Sequence, residues 1–158
     1  MMKAAAALLL LFLAQHVAAS DFRNASWLMS SDQVRSAEGG DPLSATETNG
    51  SQQLVYKIFL NGQAGLLTYV FDGDRLVSAS YRFRRDQDRS IYEVMKKSAV
   101  DQFGSPSVQK DTMVGWRLPR TEVALTSLPD TSCYLVYWEK NYFAKINGLA
   151  SSENRTRQ

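Results

Sequence analysis

The chain has 158 residues, of which 44% are hydrophobic and 22% are charged, and its formal net charge is +2. This composition is typical of one globular domain and argues against a disordered, collagenous or multi-span membrane protein. The small net charge argues against a nucleic-acid-binding surface. One Cys and one His exclude most metal clusters, disulfide frameworks and His- or Cys-based catalysis.

The N-terminus has the three-part pattern of a secretory signal peptide. Lys3 supplies a positive start, residues 4–14 form an apolar run, and small residues at 17–19 suit a cleavage site. A membrane anchor is the alternative, but the run is shorter than the roughly 20 residues that span a bilayer. We therefore predict that residues 1–19 are removed, with cleavage after Ala19 or Ser20, and that the product is periplasmic or secreted.

Cleavage there would remove His16, the single histidine, and leave Cys133 as a lone cysteine. A lone cysteine cannot form an internal disulfide, so we expect the fold to depend on its apolar core. The residue pattern predicts no metal site and no cofactor. The two carboxylates of the Asp72-Gly73-Asp74 sequence are typical of a hairpin turn, because a calcium site needs more oxygen ligands than this segment supplies.

The first half of the mature chain is predicted to be a short helix followed by three strands. Ser30 and Gln33 form a capping-box pattern, and the helix ends at Gly39. Residues 41–51 are polar and are predicted to be a loop. Alternating apolar residues then predict strands over 54–60, 64–71 and 75–84, joined by turns at 61–62 and 72–74. The third strand is predicted to bury one face and to expose the other, with these residues on the buried face: Val77, Ala79, Tyr81 and Phe83.

The second half repeats this order. A helix is predicted from Ser90 to about Phe103, because Gly104 and Pro106 end it. Strands are predicted over 113–118, 121–128 and 132–139. Residues 141–146 are compatible with a short helix, and residues 147–158 are predicted to be a disordered polar tail.

Strands joined by short turns are antiparallel. We therefore predict an α+β fold in which two helix-plus-three-strand units form one antiparallel sheet, with the helices packed on one face. The prediction is a single domain over residues 21–146, with halves over 21–85 and 86–146.

The element order and a few residues resemble the beta-lactamase-inhibitor-protein-like superfamily, which includes small outer-membrane lipoproteins of the barrel-assembly machinery. Residues 27–30 and Val34 resemble the short-helix opening of that group, although Leu28 occupies the position where its members usually have glycine. Residues 103–106, Trp116 and the strand over 121–125 add to the resemblance. The lipid-bearing cysteine of those lipoproteins is missing. The resemblance implies a protein-binding role rather than an enzymatic activity.

Aromatic residues mark the strand over 132–139. Tyr134 and Trp138 lie on one side of it, and Tyr137 lies on the other. One interpretation is a central strand buried on both faces, and the other is an aromatic patch that binds a protein. Arg82 is a further candidate contact, with a solvated strand end as its alternative. We predict Tyr134, Trp138 and Arg82 as partner-binding residues.

Three functional hypotheses follow. The first is an exported, non-catalytic module that binds another envelope or secreted protein, with no nucleic acid and no membrane span. The second is an inhibitor of a secreted enzyme, which the resemblance implies. The third is a hydrolase that uses Glu122 and Glu139, because these residues fall on neighbouring predicted strands and paired carboxylates hydrolyse glycosides.

Overall fold

A computed structural model describes residues 20–84, 90–128 and 133–155 of the chain. The predicted signal peptide lies outside the described residues. The helices and strands, in chain order, are α1 (Ser31–Glu38), β1 (Ser44–Thr48), β2 (Ser51–Leu60), β3 (Gln63–Asp72), β4 (Arg75–Phe83), α2 (Ser90–Phe103), β5 (Val108–Lys110), β6 (Met113–Arg117), β7 (Thr121–Ser127), β8 (Cys133–Glu139) and α3 (Lys140–Arg155). No helix among the described residues is long and apolar enough to cross a membrane.

The eight strands form one antiparallel sheet in the order β1-β2-β3-β4-β8-β7-β6-β5. The two halves of the chain meet at its centre, where Ser78 to Phe83 of β4 pair with Trp138 to Cys133 of β8. The predicted α+β class with one antiparallel sheet is confirmed. The predicted content of each unit is not, because each half contributes four strands instead of three.

Two short edge strands account for the difference. β1 lies in the segment that its polar composition predicts to be a loop, and it is exposed along its whole length. A strand exposed on both sides carries no apolar alternation, so composition alone does not reveal it. The signal that identifies it is the Asn49-Gly50 turn, in which both residues have positive φ (51° and 76°), as two-residue hairpins require.

The helix boundaries agree with the capping signals. The Gln33 backbone N–H donates to the Ser30 hydroxyl (3.3 Å), and the Ser30 N–H donates to the Gln33 side chain (2.9 Å). Gly39 and Gly104 follow α1 and α2 with φ of 71° and 80°. Glycine adopts this left-handed conformation without the steric strain that a Cβ creates.

α3 differs from the prediction in both length and position. Its backbone continues to Arg155, beyond the short helix and into the predicted tail. The ring of Phe143 lies 5.3 Å from that of Trp138, on the face of β8 opposite the core residue Tyr137. α1 and α2, the helices of the two predicted units, contribute buried residues to the core, whereas α3 packs against the opposite face. The sequence signal for α3 is weak, because its apolar residues cover only a single turn. Much of the stability of such a helix comes from its contact with the sheet, which the local sequence does not reveal.

The core lies between the sheet and a layer formed by residues 20–29, α1 and α2. Phe22, Trp27 and Val34 are buried in it, together with Ile91 and Met95 of α2. The Trp27 indole N–H donates to the Thr121 hydroxyl at 2.9 Å, which links residues 94 positions apart in the chain. The segment before α1 is therefore an integral part of the core.

β4 does not divide into a buried and a wet face as predicted. The pairing of β3 and β4 shifts between Val70 and Phe71, which places Leu76 in the core cluster and Val77 outside it. Such a bulge adds one residue and reverses the alternation beyond it. Ser78 is buried on the other face, where its hydroxyl donates to the Tyr137 carbonyl at 2.9 Å. This hydrogen bond offsets the unfavourable free energy of burying the Ser78 hydroxyl.

Leu28 adopts a left-handed conformation (φ 71°) and is 53% exposed. A side chain at such φ costs about 1–2 kcal/mol, whereas glycine relieves the strain at an entropic cost of about 0.5–1 kcal/mol. We expect Leu28→Gly to leave the free energy of unfolding unchanged or to raise it by up to about 1 kcal/mol in urea titrations. Leu43, 55% exposed without positive φ, is the matched control, and Leu43→Gly should be destabilising. Equal losses in both variants would contradict this explanation.

Cys133 is fully buried in the core, and burial raises the pKa of its thiol from 9.0 to about 12. Because the thiolate is the reactive form, we expect the native protein not to react with Ellman's reagent at pH 8. The protein unfolded in guanidinium chloride should react with one equivalent. Rapid reaction of the native thiol would show that the core opens at β8.

Candidate functional site

The candidate site is the outer face of the sheet, defined as the face opposite α1 and α2. Strand pairing aligns the outer-face side chains in rows across the sheet. The central row contains Lys57, Leu66, Arg82, Tyr134, Thr126, Met113 and Lys110. This row combines apolar, aromatic and cationic residues, a composition that suits a recognition surface.

The structure brings two of the three predicted contact residues together. Arg82 and Tyr134 are directly paired across β4 and β8. Tyr134 is half-buried, and its hydroxyl accepts a hydrogen bond from the Ser80 hydroxyl at 3.2 Å. This bond fixes the tyrosine ring on the sheet, so little side-chain freedom remains to be lost on binding.

Trp138 lies on the same face but in a different environment. It pairs with Ser78 and Glu122 on the neighbouring strands, and Phe143 of α3 covers part of its ring. Trp138 therefore anchors α3 to the sheet in addition to contributing to the surface. Val136, which is buried, separates it from Tyr134.

Phe59 is an outer-face residue that is not among the contact residues predicted from the sequence. Phe59 lies on β2, points to the outer face and is 75% exposed. Val55, Leu66 and Val70 on β2 and β3 are half-buried on the same face. The signal was present in the alternation of β2, since Phe59 falls between Ile58 and Leu60, which pack against the core.

A mainly apolar hollow of about 190 Å³ lies at the other end of the outer face. Trp138 and Phe143 form one side of it, and Gly115 and Ala124 contribute to its lining. A Cβ added at Gly115 would lie 3.3 Å from the Val123 carbonyl oxygen, so glycine permits close packing of β6 against β7. The hollow is large enough to accept one apolar side chain of a partner.

The carboxylate pair proposed for hydrolysis does not form. Strand pairing places Glu122 opposite Trp138 and Glu139 opposite Thr121, so the two side chains point to opposite faces of the sheet. Glu122 lies 3.9 Å from Arg117. Glu139 accepts hydrogen bonds from the Tyr142 backbone N–H at 2.7 Å and from a side chain in the first turn of α3. Glu139 is thus a helix-capping residue, and the two-carboxylate interpretation is wrong.

The two aspartates of the Asp72-Gly73-Asp74 turn also have structural partners. Asp72 accepts a hydrogen bond from the Lys145 ammonium at 2.9 Å, which attaches α3 to the turn. Asp74 accepts one from the Ser31 backbone N–H at 2.9 Å, at the start of α1. These contacts connect both helices to one hairpin.

Comparison of this chain with protein-family models, with curated proteins and with solved structures finds no match. The resemblance to the beta-lactamase-inhibitor-protein-like superfamily therefore stays a prediction, and the outer face itself carries the functional argument.

Proposed function

We propose that this protein is an exported, non-catalytic module that binds another envelope or secreted protein through the outer face of its sheet, in the periplasm or outside the cell. The observation that carries the proposal is that α3 covers only one end of this face and leaves the other end exposed to solvent. α3 shields the sheet at Trp138, whereas Phe59 at the far end is 75% exposed. Exposed apolar surface of this kind is typical of protein-binding sites.

The chemistry of the face supports a protein partner. Phe59, Tyr134 and Trp138 are residues of the large, rigid aromatic type that dominates binding energy at interfaces. They project from a hydrogen-bonded sheet, so the surface needs little ordering when a partner docks.

The charges on this face favour a partner with acidic groups. Lys57 and Lys110 are exposed at opposite ends of the central row. The carboxylate of Glu122, on the same face, is already close to the Arg117 guanidinium. Complementary charge on a partner would accelerate encounter and fix its orientation.

Site-specific photo-crosslinking tests the proposal. Benzoylphenylalanine replaces Phe59 in one variant and Tyr134 in another. The control variant carries it at Lys97, whose side chain is 78% exposed on α2, on the opposite side of the molecule. In envelope extract from the source cell, we expect one protein to cross-link to both outer-face positions and not to the control.

Equal cross-linking at all three positions, or none at the outer face, would contradict the proposal. The identity of the captured protein separates the two binding roles. A captured hydrolase that loses activity in the complex would identify an inhibitor, and any other partner would identify a structural or assembly module.

A further inference from the structure

A second site lies on the other side of the sheet, in a cavity of about 370 Å³ between residues 20–23, α2 and the core face. Its rim consists of exposed polar residues, among them Arg23, Asn61 and Gln102. Its interior reaches buried apolar residues, which include Met95, Ala99 and Leu135. The cavity therefore combines a polar rim with an apolar interior, and a concave site of this size can hold a small molecule that has both kinds of surface.

Tyr137 is the residue that points to a ligand. It is 93% buried, since its relative exposure is 7%, and it lines the cavity. Its hydroxyl makes no hydrogen bond to any residue in the part of the chain that the structure describes. The fully buried side-chain oxygen without a partner among the described residues is that of Tyr56, so the Tyr137 hydroxyl is open to the cavity. A molecule that accepts a hydrogen bond from it would take the place of water there.

The charges around the cavity are already neutralised within the protein. Arg23 donates from two nitrogens to the Glu38 carboxylate, each at 3.2 Å, and Glu38 also accepts a hydrogen bond from the Tyr69 hydroxyl. Asp21 lies 3.4 Å from Arg120 and accepts the Trp27 backbone N–H at 3.0 Å. A charged ligand would lose its hydration on entering the cavity. Neither of these two ion pairs has an unpaired charge that could compensate for that loss.

The local backbone is also held in an unusual conformation. Arg23 has φ of 51°, which is uncommon for a residue with a side chain, and this conformation accompanies the ion pair with Glu38 at the rim. Such strained positions occur preferentially where ligands bind.

We propose that this cavity binds a small, uncharged amphipathic molecule, with its apolar body against Met95, Ala99 and Leu135 and one hydrogen-bond acceptor on the Tyr137 hydroxyl. This site is independent of the outer face and of the partner that we propose there.

Isothermal titration of the folded protein with 2-naphthol at pH 7 tests the proposal, because this probe combines an uncharged apolar body with one oxygen. We expect a dissociation constant on the order of 0.1 mM. Naphthalene-2-carboxylate, which has the same body but a charge, should bind at least about tenfold more weakly.

Two variants locate the binding site. Tyr137→Phe removes the hydroxyl and keeps the ring, and it should weaken 2-naphthol binding about tenfold without a large change in melting temperature. Ala99→Leu fills the cavity and should abolish binding. Tyr142→Phe on α3 is the control and should leave binding unchanged.

Three results would overturn the proposal: no binding of 2-naphthol at about 1 mM, equal binding of the carboxylate, or unchanged affinity in Tyr137→Phe. If Ala99→Leu does not fold, Tyr137→Phe and the comparison of the two probes still decide the outcome.

Discussion

Replacement of Phe22 by alanine is expected to lower the free energy of unfolding by about 3–5 kcal/mol, the largest loss that we predict from a single truncation. Phe22 is only 4% exposed, and its ring centroid lies 5.7, 5.2 and 4.7 Å from those of Tyr69, Tyr81 and Tyr137. The substitution would remove these contacts and leave a cavity that the rigid sheet cannot close.

Urea unfolding at neutral pH measures this effect, with the melting temperature as a second measure. Leu43→Ala serves as the control, because Leu43 is 55% exposed and a change there should stay within about 0.5 kcal/mol. A loss below about 1 kcal/mol in Phe22→Ala would mean that residues 20–29 are not docked in the core. The same result would weaken the cavity proposal, because this segment forms one of the cavity walls.

Gly65→Ala should also be strongly destabilising, by about 3 kcal/mol, although it adds only one methyl group. A Cβ at Gly65 would lie 2.8 Å from Cδ1 of Phe83 and 2.9 Å from the Arg82 carbonyl oxygen. Neither neighbour can move easily, because Phe83 is fully buried in the core and the carbonyl belongs to the paired strand β4.

Gly40→Ala is the matched control for this prediction. Its Cβ would meet no atom within 4 Å and its φ is not positive, so the free energy of unfolding should change by less than about 1 kcal/mol. Phe83→Leu should recover part of the loss in the double variant, because it withdraws ring atoms from the clash. Full stability of Gly65→Ala would contradict the close packing of β3 on β4.

The long, patterned elements could be predicted from sequence because local signals specify them. Leu54 and Tyr56 are buried and alternate with less buried neighbours, among them Gln53 and Lys57, and Asn61-Gly62 fixes the turn after β2. β1 could not be predicted in this way, since its stability comes from pairing with β2 and not from burial. The bulge in β4 could not be predicted either, because one extra residue in that strand, Val77 opposite the step from Val70 to Phe71, leaves no mark in composition.

The candidate site was predictable to a similar extent. The alternation of β8 correctly placed Tyr134 and Trp138 on one face, and that of β4 placed Arg82 on the face opposite the core. It could not show that Arg82 and Tyr134 are direct neighbours, because β4 and β8 are far apart in the chain and only the sheet order pairs them. The cavity beside Tyr137 was not visible in the sequence for the same reason, since residues 20–23, β4, α2 and β8, which are far apart in the chain, all contribute to its lining.

The affinity of the cross-linked partner for the double variant Phe59→Ala/Tyr134→Ala decides whether the outer face is the binding surface. If the outer face is the binding surface, affinity should fall by at least about tenfold relative to the wild-type protein, with little change in melting temperature and no loss of affinity in the Lys97→Ala control. An unchanged affinity in the folded double variant would contradict the assignment of the outer face as the binding surface.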